Sequence, residues 1–362
     1  MSKMKTAESS HPAIGSAQID LLERLCNAAG VSGDEHEVRT IVLSELEGCA
    51  DQIHVDALGN VLVTRRARQK GALRVMLAAH MDEIGLMLVE QDEEGWFKFE
   101  VVGGIDPRQL PGKPVFVGRE HLVGLIGTRP IHLNSPGAMC ETIPVDSLRI
   151  DLGPDNAQKA KPGDWAVFAT HFRQAGPSIF AKALDDRIGV ATLIELIKHS
   201  PENIELLAAF TVQEEVGLRG ARVAAYAMNP DLAIAVDCTP ANDLPVWDGS
   251  ENARYNTRLG AGPAIYLADK GTLSDPRLVR HLAETGNALG IPYQFRQPGG
   301  GGTDAGAIHR QRAGIPSVSV SVPGRYAHTA VMLARLQDWQ NTYALLYHAL
   351  GRLSREILDA DR

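Results

Sequence analysis

Cysteines are few and far apart: Cys26, Cys49, Cys140 and Cys238 form no C-x-x-C pair. That spacing argues against a disulfide framework or a cysteine-held zinc site and fits reduced thiols in a cytosolic chain. Long apolar runs are missing too, and none approaches the roughly 18 residues that span a bilayer. The opening stretch MSKMKTAESSHPAIGSAQ lacks the apolar core of a signal peptide. Positive charge is also scarce. The formal net charge is -8, which argues against the concentrated basic face that nucleic acid or an anionic membrane requires. A cytoplasmic chain with neither nucleic acid nor membrane as partner is expected.

Two catalytic signatures are absent as well. Gly299–Asp304 is glycine-rich, but it has neither the lysine of a phosphate loop nor the spacing of a dinucleotide fingerprint. It reads as backbone brought close to a site, with Thr303 capping the next helix. No G-x-S-x-G elbow supports a Ser-His-Asp triad.

The 362 residues, 44% hydrophobic and 22% charged, suit two domains or one large domain with an insertion. Two helices are predicted between Ala17 and Ala50, broken at Gly30–Gly33, followed by a hairpin over Ile53–Val63 and a buried strand over Leu73–Ala79. From Ile84 to Pro177 helical periodicity disappears. Short β-type runs punctuated by Gly and Pro point to a small barrel or sandwich. After Phe180 strands and helices alternate again, with Val190, Leu193, Ile194 and Ile197 marking one helix face. Further helices are predicted over Leu278–Ala288, Thr303–Arg312 and Val331–Leu358. The expected fold class is α/β, a mostly parallel sheet covered by helices with an inserted small β-barrel. The expected division is a flexible tail over 1–16, a main domain over 17–83 and 178–362, and the insertion over 84–177.

In such sheets ligands bind beyond the carboxyl ends of the strands. His80 and Asp82 follow the strand Leu73–Ala79, Asp185 precedes a helix, and Glu214 and Glu215 follow the run Ile204–Val212. Asp237 ends Leu232–Val236, and His328 lies just past Ser317–Val322. Each alone has an ordinary explanation as a cap, a solvated turn or a rim histidine. Their coincidence on one rim instead points to a metal centre built from His80, Asp185, Glu215, Asp237 and His328. Three carboxylates and two neutral imidazoles balance two divalent ions once a hydroxide is added. Mixed nitrogen and oxygen donors suit zinc, with cobalt or manganese as alternatives. Asp82 is placed to accept the second N–H of His80, and Glu214 to act as general base. His309 reads as a hydrogen-bonded structural residue.

The stretches Ala79-His-Met-Asp-Glu-Ile-Gly85, Lys182-Ala-Leu-Asp-Asp-Arg187, Gln213-Glu-Glu-Val-Gly-Leu-Arg-Gly-Ala221, Val236-Asp237, Gly301-Gly-Thr-Asp-Ala-Gly-Ala-Ile-His309 and Arg325-Tyr-Ala-His-Thr329 carry a resemblance. In this order, over nearly the whole chain, they resemble the tetrahedral (TET) aminopeptidases, also labelled glutamyl aminopeptidases or endoglucanases. The resemblance implies a zinc-aminopeptidase-like fold and a dinuclear enzyme that removes N-terminal residues from peptides. It further implies that Asp185 bridges the metals, that His80 and Asp237 complete one site and Glu215 and His328 the other, and that Glu214 is the base. A cis Asp185–Asp186 peptide, an inserted dimerisation domain and a homo-oligomer of dimers forming a tetrahedral dodecamer are also implied. The tail before Ala17 is longer than is usual for that family, and Cys238–Pro245 departs from its pattern. A metal-dependent amidase or deacylase of small N-acyl compounds is the same-chemistry alternative, and a metal-free glycosidase a more distant one.

Overall fold

The computed structural model describes residues 11–134, 137, 141–244 and 257–362. Most of the expected tail, Cys140 and Pro245 lie outside them. The three described cysteines, Cys26, Cys49 and Cys238, are free.

Four strands make the centre of the molecule, and they are apolar on both faces because helices cover both. Ile204–Thr211, Leu73–His80, Leu232–Pro240 and Ser317–Arg325 lie side by side and parallel in that order. Side chains alternate along a strand, so each divides its residues between two cores. Val75, Leu77 and Ala79 face the larger core with Leu22, Val42, Ile194 and Trp339, whereas Met76 and Ala78 face Ala221, Ala224 and Ile308. Each buried Val, Leu, Ile or Met side chain among them contributes about 1.5–3 kcal/mol by burial, and burial on both faces is why these strands read as continuous apolar runs. Deep in the larger core the Trp339 indole N–H is satisfied, donating to Thr192 Oγ1 at 2.9 Å, whereas the buried Tyr343 hydroxyl has no hydrogen-bond partner among the described residues.

The parallel order holds for these four strands and the short pair Ala264–Tyr266 and Gln294–Arg296. Antiparallel strands extend the sheet to 11 in all, with Gln52–Val55 and Val61–Arg65 on one side and Met332–Arg335, Ser178–Ala181 and Arg173–Ala175 on the other. Two predicted helices are therefore shorter than expected. The closing helix is Leu336–Arg352, because Met332–Arg335 is a strand with alternating burial. The helix predicted over Thr303–Arg312 is only Ala305–Ile308, capped at His309 and followed by turns in which Arg312 and Gly314 are left-handed.

In the chain between Leu73–His80 and Arg173–Ala175, six strands close a barrel. They are Gly85–Gln91, Phe97–Val102, Pro114–Val117, Leu122–Gly127, Arg149–Asp151 and Trp165–Phe168. Leu86, Phe97, Val115 and Ile150 fill a core of their own inside it. Among the described residues no helix is long and apolar enough to cross a membrane.

The turn after Ile204–Thr211 is packed too tightly for any side chain at Gly220. Its N–H donates to Val212 O at 3.0 Å, while the Asn60 side chain accepts from Val212 N–H at 3.0 Å and donates to Gly220 O at 3.2 Å. A Cβ at Gly220 would overlap both Asn60 Oδ1 and the Val212 backbone. Gly220→Ala should therefore lower stability by about 1–3 kcal/mol, measured by chemical denaturation against the parent; an unchanged midpoint would contradict the packing.

Candidate metal centre

The carboxyl ends of the central strands deliver the polar residues to one cleft. His80 is the last residue of its strand, Asp237 lies within Leu232–Pro240, and Glu214 and Glu215 follow the end of Ile204–Thr211 after Val212 and Gln213. Asp185 and Asp186 open the helix Leu184–Lys198 through a cis peptide. His328, in a left-handed conformation, follows Ser317–Arg325. The strands carrying Asp237 and preceding His328 are longer than predicted, yet both residues reach the same place.

His80, Asp185, Glu214, Glu215, Asp237 and His328 all line a cleft of about 260 Å³. The Asp185 carboxylate lies between the two imidazoles. Its Oδ1 is 3.3 Å from His80 Nε2 and its Oδ2 is 3.7 Å from His328 Nε2. Asp237 Oδ1 is 4.0 Å from His80 Nε2, and Glu215 Oε2 is 3.5 Å from His328 Nε2. Both rings have their other nitrogen committed to a main-chain oxygen, which can only accept. His80 Nδ1 lies 3.0 Å from Asp82 O, and His328 Nδ1 lies 2.9 Å from Gly104 O. Each Nδ1 therefore carries a proton, so in the neutral ring Nε2 is the ligating nitrogen, and it points toward the carboxylates as a metal-ligating histidine requires.

The Asp82 carboxylate is engaged differently from the expectation. One oxygen lies 3.5 Å from His80 Nδ1, but its shorter contacts are with the Ser32 hydroxyl at 2.6 Å and the amides of Glu214 and Glu215 at 3.0 and 3.2 Å. The main-chain oxygen of the same residue holds the ring. Asp186, which sequence reasoning did not single out as a ligand, joins His80 and Asp237 in a second cluster with donor atoms within 4.8 Å. Its oxygens accept the amides of His80 at 3.3 Å and Gly189 at 3.0 Å, so it ties strand to helix. The adjacent aspartates were the signal for it. His309 is a structural residue, as expected, with Nδ1 2.8 Å from Ala305 O. Thr303 Oγ1 accepts the Ala305 amide at 3.2 Å. Tyr266 and Arg296 also line the cleft, with the guanidinium 4.2 Å from the ring centre; no motif marked either.

The donor set fits a cation. Burial, with neighbouring carboxylates, pushes the Glu214 and Asp237 carboxyls well above the usual range and Glu215 up to about 7. Burial opposes charging of His80, yet Asp185 and Asp82 beside it hold its pKa well above the ordinary value. Without a metal the cluster thus takes up protons to offset its own charge.

The chain matches the family model for M42 glutamyl aminopeptidase over residues 59–345. It is 35% identical over 336 residues to a putative aminopeptidase of Acetivibrio thermocellus, covering 91% of this chain and 98% of that one. An aminopeptidase structure from the archaeon Desulfurococcus kamchatkensis superposes with a TM-score of 0.88 at 32% identity, covering 94% of this chain and 96% of that one. The TET1 peptidase of Pyrococcus horikoshii, which assembles into a tetrahedron or a large octahedral shell, gives 0.82 at 34% identity over 93% of this chain and 100% of its own. Fold and site define a metal-dependent aminopeptidase, a hydrolase of peptide bonds. The chain belongs to the M42 glutamyl aminopeptidase family.

Protons that a metal-free donor set holds must leave when a metal enters. Glu215, raised to about 7, is protonated below that pH and ionised above it. Proton release per metal bound should be larger at pH 6 than at pH 8, and apparent affinity should fall with falling pH. Calorimetric titration of metal-free protein in buffers of different ionisation enthalpy measures both; equal release at the two pH values would contradict the assignment.

Proposed function

We propose that this aminopeptidase holds two divalent ions, zinc by the character of its donors. Asp185 would be shared by both, with His80 and Asp237 completing one set and Glu215 and His328 the other. The observation that carries this reading is Asp185, whose two oxygens face different imidazoles. When bound, such ions polarise the scissile carbonyl and acidify a water between them.

Glu214 is the general base in this reading. It lines the cleft beside Glu215, and burial makes its carboxyl more basic than an exposed one. A more basic carboxylate takes a proton from water more readily and passes it to the leaving amine. Its carboxylate would receive that proton and return it to the amine nitrogen of the departing peptide. The substrate is a peptide with a free N-terminus.

The barrel within the expected insertion 84–177 would form a dimerisation domain, although Arg173–Ala175 already belongs to the main sheet, and dimers would build a larger homo-oligomer. The self-contained barrel core and the shells formed by the Pyrococcus horikoshii protein support this. Native mass spectrometry should show an even number of subunits, and a monomer overturns it.

Glu214→Gln should keep its metal while kcat falls roughly 10²–10⁴-fold. Glu215→Gln should lose occupancy at one site and regain part of its activity with excess metal. Elemental analysis and kcat for both variants decide the roles; metal loss in Glu214→Gln with full occupancy in Glu215→Gln would reverse them.

A further inference from the structure

Four consecutive main-chain amides, from Val212 to Glu215, each donate to a side-chain oxygen from a distant part of the chain. Val212 donates to Asn60 Oδ1 at 3.0 Å and Gln213 to Glu35 Oε1 at 3.3 Å. Glu214 donates to Asp82 Oδ1 at 3.0 Å and Glu215 to Asp82 Oδ2 at 3.2 Å. All three acceptor residues are buried. Two buried carboxylates beneath one turn are costly unless hydrogen bonds compensate them, so this turn is held by more than chain connectivity. Glu35 Oε1 also accepts the Gly33 amide at 2.7 Å, which ties the loop before the second helix to the turn. Gln213 has a φ of 56°, a left-handed conformation that residues with a side chain avoid, and it immediately precedes Glu214.

We infer that Glu35 is a positioning residue for Glu214: its buried carboxylate holds the Gln213 amide in the left-handed conformation from which the Glu214 side chain enters the metal cleft. This rests on the reading of Glu214 as general base. Asn60 and Asp82 fix the amides on either side, which leaves Glu35 as the side-chain acceptor acting on Gln213 itself. Reach matters here more than charge. Burial pushes the Glu35 carboxyl up to about 7, so an uncharged amide of the same length is a close substitute near neutrality.

The test compares Glu35→Gln, Glu35→Asp and Glu214→Gln in the full-length, metal-loaded protein, with kcat and KM on an aminoacyl-p-nitroanilide and metal content by elemental analysis. Glu35→Asp keeps the charge but falls one methylene short of the Gln213 amide. Its kcat should drop roughly 10–100-fold, as misplacement of a reacting group does, with KM and metal content unchanged. Glu35→Gln keeps an oxygen at the required reach and should stay near the parent. A purely structural residue would lower the melting temperature and leave kcat per folded molecule intact. An Asp variant as fast as the parent, a Gln variant slower than the Asp variant, or a loss that follows metal content each overturns the role. Parental turnover in Glu214→Gln would overturn the base assignment beneath it. A slow Glu214→Gln beside a fully active Glu35→Asp overturns the positioning role alone.

Discussion

Like charges crowd into one cleft at the carboxyl ends of the central strands, and the rest of the architecture is arranged around that crowding. Asp185, Glu214, Glu215 and Asp237 line the same cleft, with Asp82 and Asp186 buried just behind it. Two unit charges 4 Å apart repel by about 4 kcal/mol at the effective dielectric typical of proteins. Burial first and this repulsion second raise the Glu214, Glu215 and Asp237 carboxyls, while Asp185 and Asp82 raise the His80 imidazole against its burial, so protons relieve part of the crowding. Divalent cations relieve it better. A donor set this acidic is unfavourable on its own, and a rigid scaffold is needed to keep it from relaxing apart.

The scaffold is the four-stranded parallel centre. Parallel neighbours in register bring Thr211 level with His80 and Asp237 level with Ser321, so residues far apart in sequence arrive at one height. Amide donors then fix the carboxylates that the cleft does not use. Asp186 takes two amides and Asp82 takes two more. Arg187 and Lys182 flank the aspartate pair and both reach the buried Glu83, at 2.9 and 2.7 Å. These contacts pin the turn carrying Asp185 to the strand end carrying His80. Removing one partner of such a buried group would leave an uncompensated charge.

The candidate ligands' arrival at one cleft was legible in the sequence because it depends on a local rule: polar residues at the ends of apolar strands face the binding edge. His80, Asp237 and the Glu214–Glu215 pair need nothing more than a recognised strand before them. The supports were not legible, because their partners are remote. Glu35 and Gln213 are 178 positions apart, and Asp82 and Glu214 are 132 apart. Met332–Arg335 failed for the same reason. Its alternation is too short to stand out beside the helix that follows, and it becomes a strand by pairing with Ser178–Ala181 and Gly324–Arg325. The helix over Thr303–Arg312 was overextended because the glycine run and Thr303 mark where it starts but no residue type at Ile308 marks where it stops.

The barrel also bears directly on the cleft, whatever it does at its outer surface. The loop after Phe97–Val102 supplies Gly104 O, and that oxygen is what commits His328 Nδ1 as a donor. A Cβ at Gly104 would lie 3.1 Å from that nitrogen, and one at Gly103 would press on Ile84 and lie 3.4 Å from the Glu215 Cβ. Neither position has room for a side chain without moving a candidate ligand or the strand entry beside it. His328 is the most exposed of the candidate ligands, with 43% of its side chain accessible, and no strand or helix holds its backbone. Its orientation therefore depends on a carbonyl from the inserted segment, so a displacement of the barrel relative to the sheet would reach this imidazole before it reached His80, whose ring is held by the residue two positions further along its own chain.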